Sequence, residues 1–353
     1  MTAVPGHPPA QRWGALSVVA ASILWGTTGT AATFAPGVSP LAIGAVAMGV
    51  GGLLQAFVAA RQIAGRPGAL LLHRWRLVLL GAAAVAVYPL AFYSSMHLSG
   101  VAVGTVVSIG SAPIAAALIE RAADKVPLRR RWIAGALLGV GGAATLSFAG
   151  HAPTGSEADP GSWTTTAGVL MGLLAGATYA LYSWAAHRLI GGDVTSRAAM
   201  GTVFGVGGLL LMPVLAVTGG PLLASWTAIG VGAYMAVVPM FAGYLLFGWG
   251  LARVGASTAT GISLLETVVA AILAVAVVGE RLPAAGWLGA AAVLASLFIL
   301  APRARTVPGG RATAASGGRR PAVPSGGGLA PPAPVQADGA QQEAGAQPQQ
   351  QNS

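Results

Sequence analysis

The stretch "GISLLETVVAAILAVAVVGE", residues 261–280, is apolar except for a few small polar residues and carries one charge, Glu266, before its final position. At a rise of 1.5 Å per residue, a helix of about 20 residues crosses a hydrocarbon core about 30 Å thick. Backbone groups in lipid must be satisfied within their own segment, so a run of this length predicts a transmembrane helix. The fold then depends on how often such runs recur.

The whole chain has the composition of a membrane protein. Of its 353 residues, 55% are hydrophobic and only 8% are charged, against roughly 25% charged in soluble domains. Apolar runs long enough to cross a bilayer recur ten times, so the sequence predicts an all-α integral membrane protein with ten transmembrane helices. The ten runs lie near residues 14–34, 40–60, 77–97, 100–119, 132–149, 166–189, 198–217, 227–248, 256–278 and 284–301.

The basic residues predict the orientation. With ten spans and the N-terminus inside, every Lys and Arg except Arg281 lies in an inner loop or a terminal segment, which is the pattern of cytoplasmic segments. Both termini are therefore expected in the cytoplasm. The net charge of +10 is explained by anionic lipid at that face rather than by nucleic acid. Lysine occurs once among 19 Lys and Arg residues, which favours a GC-rich bacterial genome and hence the bacterial inner membrane.

Short internal matches indicate two repeats. "GVGGLL" occurs at residues 49–54 and again at 205–210, "AVYP" at 86–89 is followed by "AVVP" at 236–239, and "DKVPL" at 124–128 by "ERLPA" at 280–284. A unit of five spans starts and ends on opposite sides, so its second copy must be inverted, and inverted repeats are typical of transporters. The predicted divisions are a cytoplasmic N-terminal tail at 1–13, repeats at 14–149 and 166–302, an external loop at 150–165, and a disordered cytoplasmic tail at 303–353.

Glu266 is the main candidate functional residue. An acid at the centre of a span costs roughly 2.5–3.5 kcal/mol, so such residues usually have a role. Thr258 and Ser263 lie near the same helical face and could form a narrow polar strip beside it. We expect Glu266 to face a central cavity, where it could bind a proton or a cationic amine. A protonated acid bonded to a neighbouring helix, or a role in insertion only, remains the structural alternative.

Aromatic and polar side chains in other spans are softer candidates for lining that cavity. Helix packing and interfacial belts are the alternatives for each of them. Pro89 and Pro239 occupy equivalent repeat positions and predict kinks, either hinges or fixed bends. The predicted lining residues are Trp25, Thr28, Tyr88, Phe92, Tyr93, Tyr179, Tyr182 and Tyr244.

The sequence also argues against several classes of function. It has no cysteine, and none of its five histidines has the spacing of a metal pair. No G-x-S-x-G elbow or G-x-x-x-x-G-K-[ST] loop occurs, and the glycine runs lie within spans, where they indicate close helix packing. We therefore predict no metal, no cofactor and no enzymatic activity. A passive channel and a membrane-embedded enzyme remain the rival interpretations.

Three segments resemble the EamA family of the drug/metabolite transporter superfamily. They are "ASILWGTTGTAATF" in the first span, "AFYSSMHLSGVAVGTVVSIGSAP" across the third and fourth, and "LARVGASTATGISLLETVVAAILAVAVVGERL" across the last pair. The resemblance implies two inverted five-helix repeats and transport of small metabolites or drugs, often as export. Thr267 stands where the family usually has proline, and Ala112-Pro113 in the first repeat lacks the acid.

These observations lead to one expected function. The chain should be a secondary active transporter that works by alternating access, most simply an exporter of an amino acid or amine that is coupled to a proton gradient. Its expected partners are a small-molecule substrate and the lipid bilayer.

Overall fold

The computed structural model describes residues 8–127, 129–150, 163–279 and 281–300. The described residues are helical and contain no β-strand. Residues 1–7 of the predicted N-terminal tail, 151–162 of the predicted external loop and the whole predicted tail at 303–353 lie outside them. So do Leu128 and Glu280 of the third repeat match.

The first half begins with two helices that meet at Thr27. A π-helical segment, Ala45–Val50, joins α3 to α4 and makes one continuous span of them. The helices are α1 (Pro8–Gly26), α2 (Thr28–Ala32), α3 (Pro40–Gly44), α4 (Gly51–Ile63), α5 (Arg66–His73), α6 (Trp75–Ser99), α7 (Val101–Asp124) and α8 (Arg130–Gly150).

The second half contains two further π-helical segments, Ala236–Ala242 between α11 and α12 and Ala274–Val278 after α14, and a 3-10 turn at Gly220–Leu223. Its helices are α9 (Trp163–Leu189), α10 (Ser196–Thr218), α11 (Trp226–Met235), α12 (Gly243–Val254), α13 (Ala256–Ser263), α14 (Leu265–Leu273) and α15 (Ala284–Leu300).

Within the described residues, nine helical stretches are long and apolar enough to cross a membrane, so the chain is a multi-pass membrane protein. The tenth predicted span corresponds to α15, a shorter apolar helix of 17 residues, which rises about 26 Å. The count of ten therefore stays a prediction. The nine spans are Ala10–Ala32, Pro40–Ile63, Trp75–Ser99, Val103–Asp124, Arg130–Ala149, Trp163–Leu189, Ser196–Thr218, Trp226–Val254 and Ala256–Val277.

Two glycines make the tightest connections between spans. Gly100 joins α6 to α7 with φ +84 and ψ 155, and Gly255 joins α12 to α13 with φ +84 and ψ 163. These backbone angles strongly favour glycine, because a Cβ would be strained there. The same turn thus occurs at the corresponding place in both repeats, between the third and fourth spans of each.

Helix packing between the halves is reciprocal. The first span (α1) packs on the eighth (α12), and the sixth (α9) packs on the third (α6). The second span packs on the seventh through α4 and α10, the fourth on the ninth through α7 and α13, and the fifth on the tenth through α8 and α15. Exchanging the two halves reproduces this set of pairs, as expected for two structurally equivalent repeats.

The two copies of "GVGGLL" contact each other at the centre of this packing. A Cβ on Gly52 would lie 2.2 Å from the carbonyl oxygen of Phe204, and one on Gly208 would lie 2.6 Å from that of Gly49. No side chain fits at such distances, so α4 and α10 can approach this closely only through glycine. These contacts confirm that the glycine runs serve helix packing.

The two span prolines differ in local geometry. Pro89 lies inside the uninterrupted helix α6, whereas Pro239 lies in the π-helical segment Ala236–Ala242. A π-helical turn changes the backbone hydrogen-bond pattern, and such turns are frequent at functional sites. The predicted equivalence of the two prolines holds for their position in the repeats but not for the backbone around them.

Candidate functional site

A cavity of about 560 Å³ lies within the bundle of helices. Its wall includes Thr33 and Arg281, which are both exposed and form its mouth. They lie at the end of the bundle where α2, α6 and α8 finish and α15 begins, which we call the Arg281 end. The opposite end, where α7 and α9 finish and α13 begins, is called the Asp124 end.

Eight of the predicted site residues line this cavity. They come from five different spans, so the fold brings together side chains that are up to 241 positions apart in the sequence. These residues are Trp25, Thr28, Tyr88, Phe92, Tyr93, Tyr179, Tyr244 and Glu266. Pro89 also contributes to the wall.

Glu266 lies beside a turn at Leu264 in the ninth span. Helix α13 ends at Ser263, and α14 starts at Leu265 after a turn in which the amide of Thr267 donates to the carbonyl of Leu264 at 3.2 Å. Glu266 is therefore in the first turn of α14, directly after this local change in the helix. Its side chain is half-buried and has no hydrogen bond or ion pair within the described part of the chain.

The first span lies against Glu266 through Gly26. A Cβ on Gly26 would lie 2.9 Å from the carbonyl oxygen of Glu266 and 2.5 Å from the Cβ of Val269. The close approach places Trp25 and Thr28, on either side of Gly26, in the wall of the same cavity. The Thr28 hydroxyl donates to the carbonyl of Trp25 at 2.7 Å, which satisfies it locally.

Aromatic rings form the inner part of the cavity wall. The ring of Trp25 lies 4.8 Å from that of Tyr244, and the ring of Tyr88 lies 5.5 Å from Tyr179 and 5.8 Å from Phe92, centroid to centroid. The Trp25 indole is held in place because its Nε1 donates to the carbonyl of Pro239 at 2.9 Å. Faces of such rings attract cations within about 6 Å of their centroids.

Three predicted lining residues lie behind the wall instead. Tyr182 is fully buried, and its hydroxyl is 2.7 Å from that of Tyr244. Ser263 is also fully buried, and its Oγ accepts a hydrogen bond from the Tyr179 hydroxyl at 2.9 Å. Thr258 lies in α13, a turn below Ser263, and is not part of the wall. Leu264, which joins α13 to α14, keeps right-handed helical backbone angles, and the ninth span continues through it from Ala256 to Val277.

The sequence interpretation missed other lining residues. Met48, Met96 and Met240 contribute flexible thioether side chains, which adapt to ligands of different shape. In the sequence they are ordinary apolar residues of a span, so no local pattern distinguishes them. Arg281 was predicted only as an external loop residue, and its place at the mouth follows from the short connection between α14 and α15.

The Asp124 end of the bundle is closed. Phe204, Phe247 and Leu251 are fully buried below the Tyr182–Tyr244 pair. Nearer the surface, Asp124 accepts a hydrogen bond from Trp184 Nε1 at 2.7 Å and forms an ion pair with Arg188. The cavity therefore ends at an aromatic layer that polar contacts between α7 and α9 support.

The described residues contain no group of three or more His, Asp or Glu side chains that could hold a metal ion. The one carboxylate in the cavity wall is that of Glu266. This arrangement suits binding of a proton or an organic cation, because both need a single acceptor rather than a ligand cluster.

Comparisons with known proteins agree with this architecture. The chain matches the EamA-like transporter family twice, over residues 12–148 and 166–301. It is 35% identical over 297 residues to the uncharacterized transporter YwfM of Bacillus subtilis (strain 168), an alignment that covers 82% of this chain and 94% of YwfM.

A solved crystal structure, described only as that of a protein, has the same fold. Its TM-score is 0.66 at 18% sequence identity, over 81% of this chain and 95% of the other. The two family matches coincide with the two halves that pack reciprocally in the structure. The chain therefore belongs to the EamA-like transporter family.

Proposed function

We propose that this chain is a secondary active transporter that exports small organic amines by alternating access, driven by protons. One observation carries the proposal. The carboxylate of Glu266, which has no partner among the described residues, lies in an aromatic cavity that reaches one end of the bundle and is closed at the other. A binding site that opens to one face at a time is the defining feature of alternating access.

The proposed topology is ten spans in two inverted repeats, residues 14–149 and 166–302, with both termini in the cytoplasm of a bacterial cell. The reciprocal packing of the halves supports the repeats, and the odd number of spans in each implies the inversion. The arginine-rich segments favour the cytoplasm for the Asp124 end. The cavity then opens to the periplasm, and the structure is the outward-facing state.

The chemistry of the wall favours a cationic substrate. Aromatic rings and one carboxylate can hold a positive charge through cation–π and ionic contacts. Glu266 contributes the one carboxylate of the described cavity wall, and the one base in that wall, Arg281, lies at the exposed mouth. We therefore place amines ahead of amino acids as substrates.

Coupling would follow from competition for the same carboxylate. Glu266 can carry a proton or neutralise a bound cation, but not both. A proton that enters from the periplasm would release the amine outward, and loss of the proton to the cytoplasm would prepare the site for the next amine. The closed aromatic layer at the Asp124 end argues against a passive pore, and the isolated carboxylate argues against an enzyme.

Uptake into everted membrane vesicles tests this proposal, because inversion turns export into uptake. A panel of amines and amino acids is compared for the wild type and Glu266→Gln, with and without an ionophore that collapses the pH gradient. Asp193→Asn is the matched control, since it makes the same carboxyl-to-amide change at an exposed acid paired with Arg66.

We expect saturable uptake of one or more amines that requires the gradient. It should fall at least about tenfold in Glu266→Gln, the range expected when a charged hydrogen-bonding partner is lost, and should persist in Asp193→Asn. Saturable uptake that is unchanged in well-expressed Glu266→Gln would refute the role of Glu266. Uptake of α-amino acids in preference to amines would refute the substrate class.

A further inference from the structure

We propose that Glu120 is a latch that holds the Asp124 end of the transporter closed. Glu120 lies in the last turns of α7, in the fourth span, and its side chain is buried with 8% exposure. It is a positioning residue and lies outside the substrate cavity. The inference rests on the alternating access proposed above, because a latch has meaning only if this end opens at another stage of transport.

The contact made by Glu120 joins the two repeats directly. Its Oε1 accepts hydrogen bonds from the backbone amides of Ala256 at 2.8 Å and Ser257 at 3.1 Å. These amides begin α13, the first half of the ninth span, immediately after the turn at Gly255. A carboxylate that accepts from the first amides of a helix is stabilised by charge-assisted hydrogen bonds and by the helix dipole.

The position of the contact gives it a mechanical role. Helix α13 leads into the turn at Leu264 and then to Glu266, so the ninth span carries both the latch contact and the cavity carboxylate. Separation of α7 from the start of α13 would break both hydrogen bonds of Glu120, so this contact opposes opening of the Asp124 end. Neighbouring polar contacts from Asp124 to Trp184 and Arg188 join α7 to α9 within the same region.

Among the described residues, the position of the second repeat that corresponds to Glu120 carries no acid. The offset of 156 residues that relates Asp124 to Glu280 relates Glu120 to Ala276. Ala276 lies in the π-helical segment at the end of the ninth span and offers only a methyl group. The turns at Gly100 and Gly255 have nearly the same backbone angles, so the repeats differ here in a side chain rather than in the connection. The sequence thus favours closure at the Asp124 end over closure at the Arg281 end.

Cysteine accessibility can test the latch without knowledge of the substrate, because the chain contains no cysteine. Two single-cysteine reporters are prepared in the wild type, Glu120→Ala and Glu120→Gln backgrounds, and are labelled with a maleimide in lipid nanodiscs, where both faces are accessible. Thr30→Cys lies in the cavity wall and reports the open end. Ser183→Cys reports the closed end, since Ser183 is fully buried beside Trp184 and its hydroxyl has no hydrogen-bond partner to lose.

Loss of the latch should raise the maleimide labelling of one reporter and lower that of the other. In Glu120→Ala we expect labelling of Ser183→Cys to rise on the order of tenfold and labelling of Thr30→Cys to fall, because two charge-assisted hydrogen bonds are lost. Glu120→Gln retains an acceptor oxygen and should give a smaller shift of the same sign. Ala276→Glu, which adds a carboxylate at the equivalent place, should also lower Thr30→Cys labelling.

Unchanged labelling of both reporters in folded Glu120→Ala would overturn the latch. If Glu120→Ala does not fold, unchanged labelling in Glu120→Gln and Ala276→Glu overturns it instead. The outcome is separable from that of the proposed function. If labelling changes but no amine is transported, the Glu120 latch stands and the proposed amine substrate is refuted. If amine flux is normal and labelling does not change, only the latch is refuted.

Discussion

The two ends of this bundle are assembled from corresponding segments of the two repeats, yet one contains a cavity mouth and the other is sealed. At the Arg281 end, the exposed Thr33 and Arg281 border an opening that leads to Glu266. At the Asp124 end, Phe204, Phe247 and Leu251 are fully buried, and Glu120 binds the start of α13. The backbone turns are alike and the side chains differ. A symmetric framework can therefore be biased toward one state by a few residues on one side.

Gly26→Val should have the largest effect, because it disturbs the wall of the open end at Glu266. The new side chain would clash with the carbonyl of Glu266 and with Val269, and overpacking of this kind costs about 1–3 kcal/mol. We expect amine uptake to fall roughly 10- to 100-fold while the protein still reaches the membrane. Initial uptake rates at matched expression measure the change.

Gly141→Val is the control for that prediction, since Gly141 lies in another span and nothing is within 4 Å of its Cβ position. It should leave uptake and thermal stability close to those of the wild type. Equal losses in both variants would mean that any added bulk in a span harms the protein, and the contact of Gly26 with the ninth span would then lose its special role.

Tyr182→Phe should weaken the seal at the other end. It removes the hydroxyl that bonds to Tyr244 at 2.7 Å, and a buried hydrogen bond contributes about 1 kcal/mol. We expect roughly fivefold faster maleimide labelling of Ser183→Cys in nanodiscs, because the closed state is less favoured. Tyr93→Phe is the comparison, as its hydroxyl has no hydrogen bond among the described residues. If Tyr182→Phe and Tyr93→Phe gave equal labelling rates, the Tyr182–Tyr244 hydrogen bond would not be a contact that keeps the Asp124 end closed.

The smallest effect is expected for Arg281→Gln at the mouth. The guanidinium is exposed and is screened by salt, so its influence on a bound charge at Glu266 is weak. The KM for amine should fall by less than about threefold at low ionic strength and should not change at high salt. A change of tenfold or more in KM would show that Arg281 contacts the substrate directly.

The sequence predicted much of this fold because its signals are local. The lengths of the apolar runs predicted the membrane-spanning helices that the structure describes. The two copies of "GVGGLL", which indicated the repeats, are the segments through which α4 and α10 contact each other. The single charge of Glu266 within an apolar run was enough to predict that this residue faces a cavity. The turn at Leu264 left no such signal, since "GISLLETVV" reads as one continuous helix. Thr258 and Ser263 lie outside the cavity wall in this structure.

Other features depend on contacts between distant segments. The tyrosines were separate candidates until the fold placed Tyr88, Tyr179 and Tyr244 in one cluster of rings with Trp25. Glu120 is an ordinary helix-end acid in the sequence, and its role follows only from Ala256, which is 136 residues away. The short helix α5, between the second and third spans, also escaped notice because eight residues are too few for a clear period.

The most direct test is to record proton movement during amine transport by the purified protein in liposomes that contain a pH-sensitive dye. Adding an amine that the vesicle panel identifies should change the internal pH in step with its saturable flux, and Glu266→Gln should abolish the pH change. Saturable amine flux with no proton movement, or proton movement that persists in Glu266→Gln, would contradict a carboxylate that exchanges protons for amines.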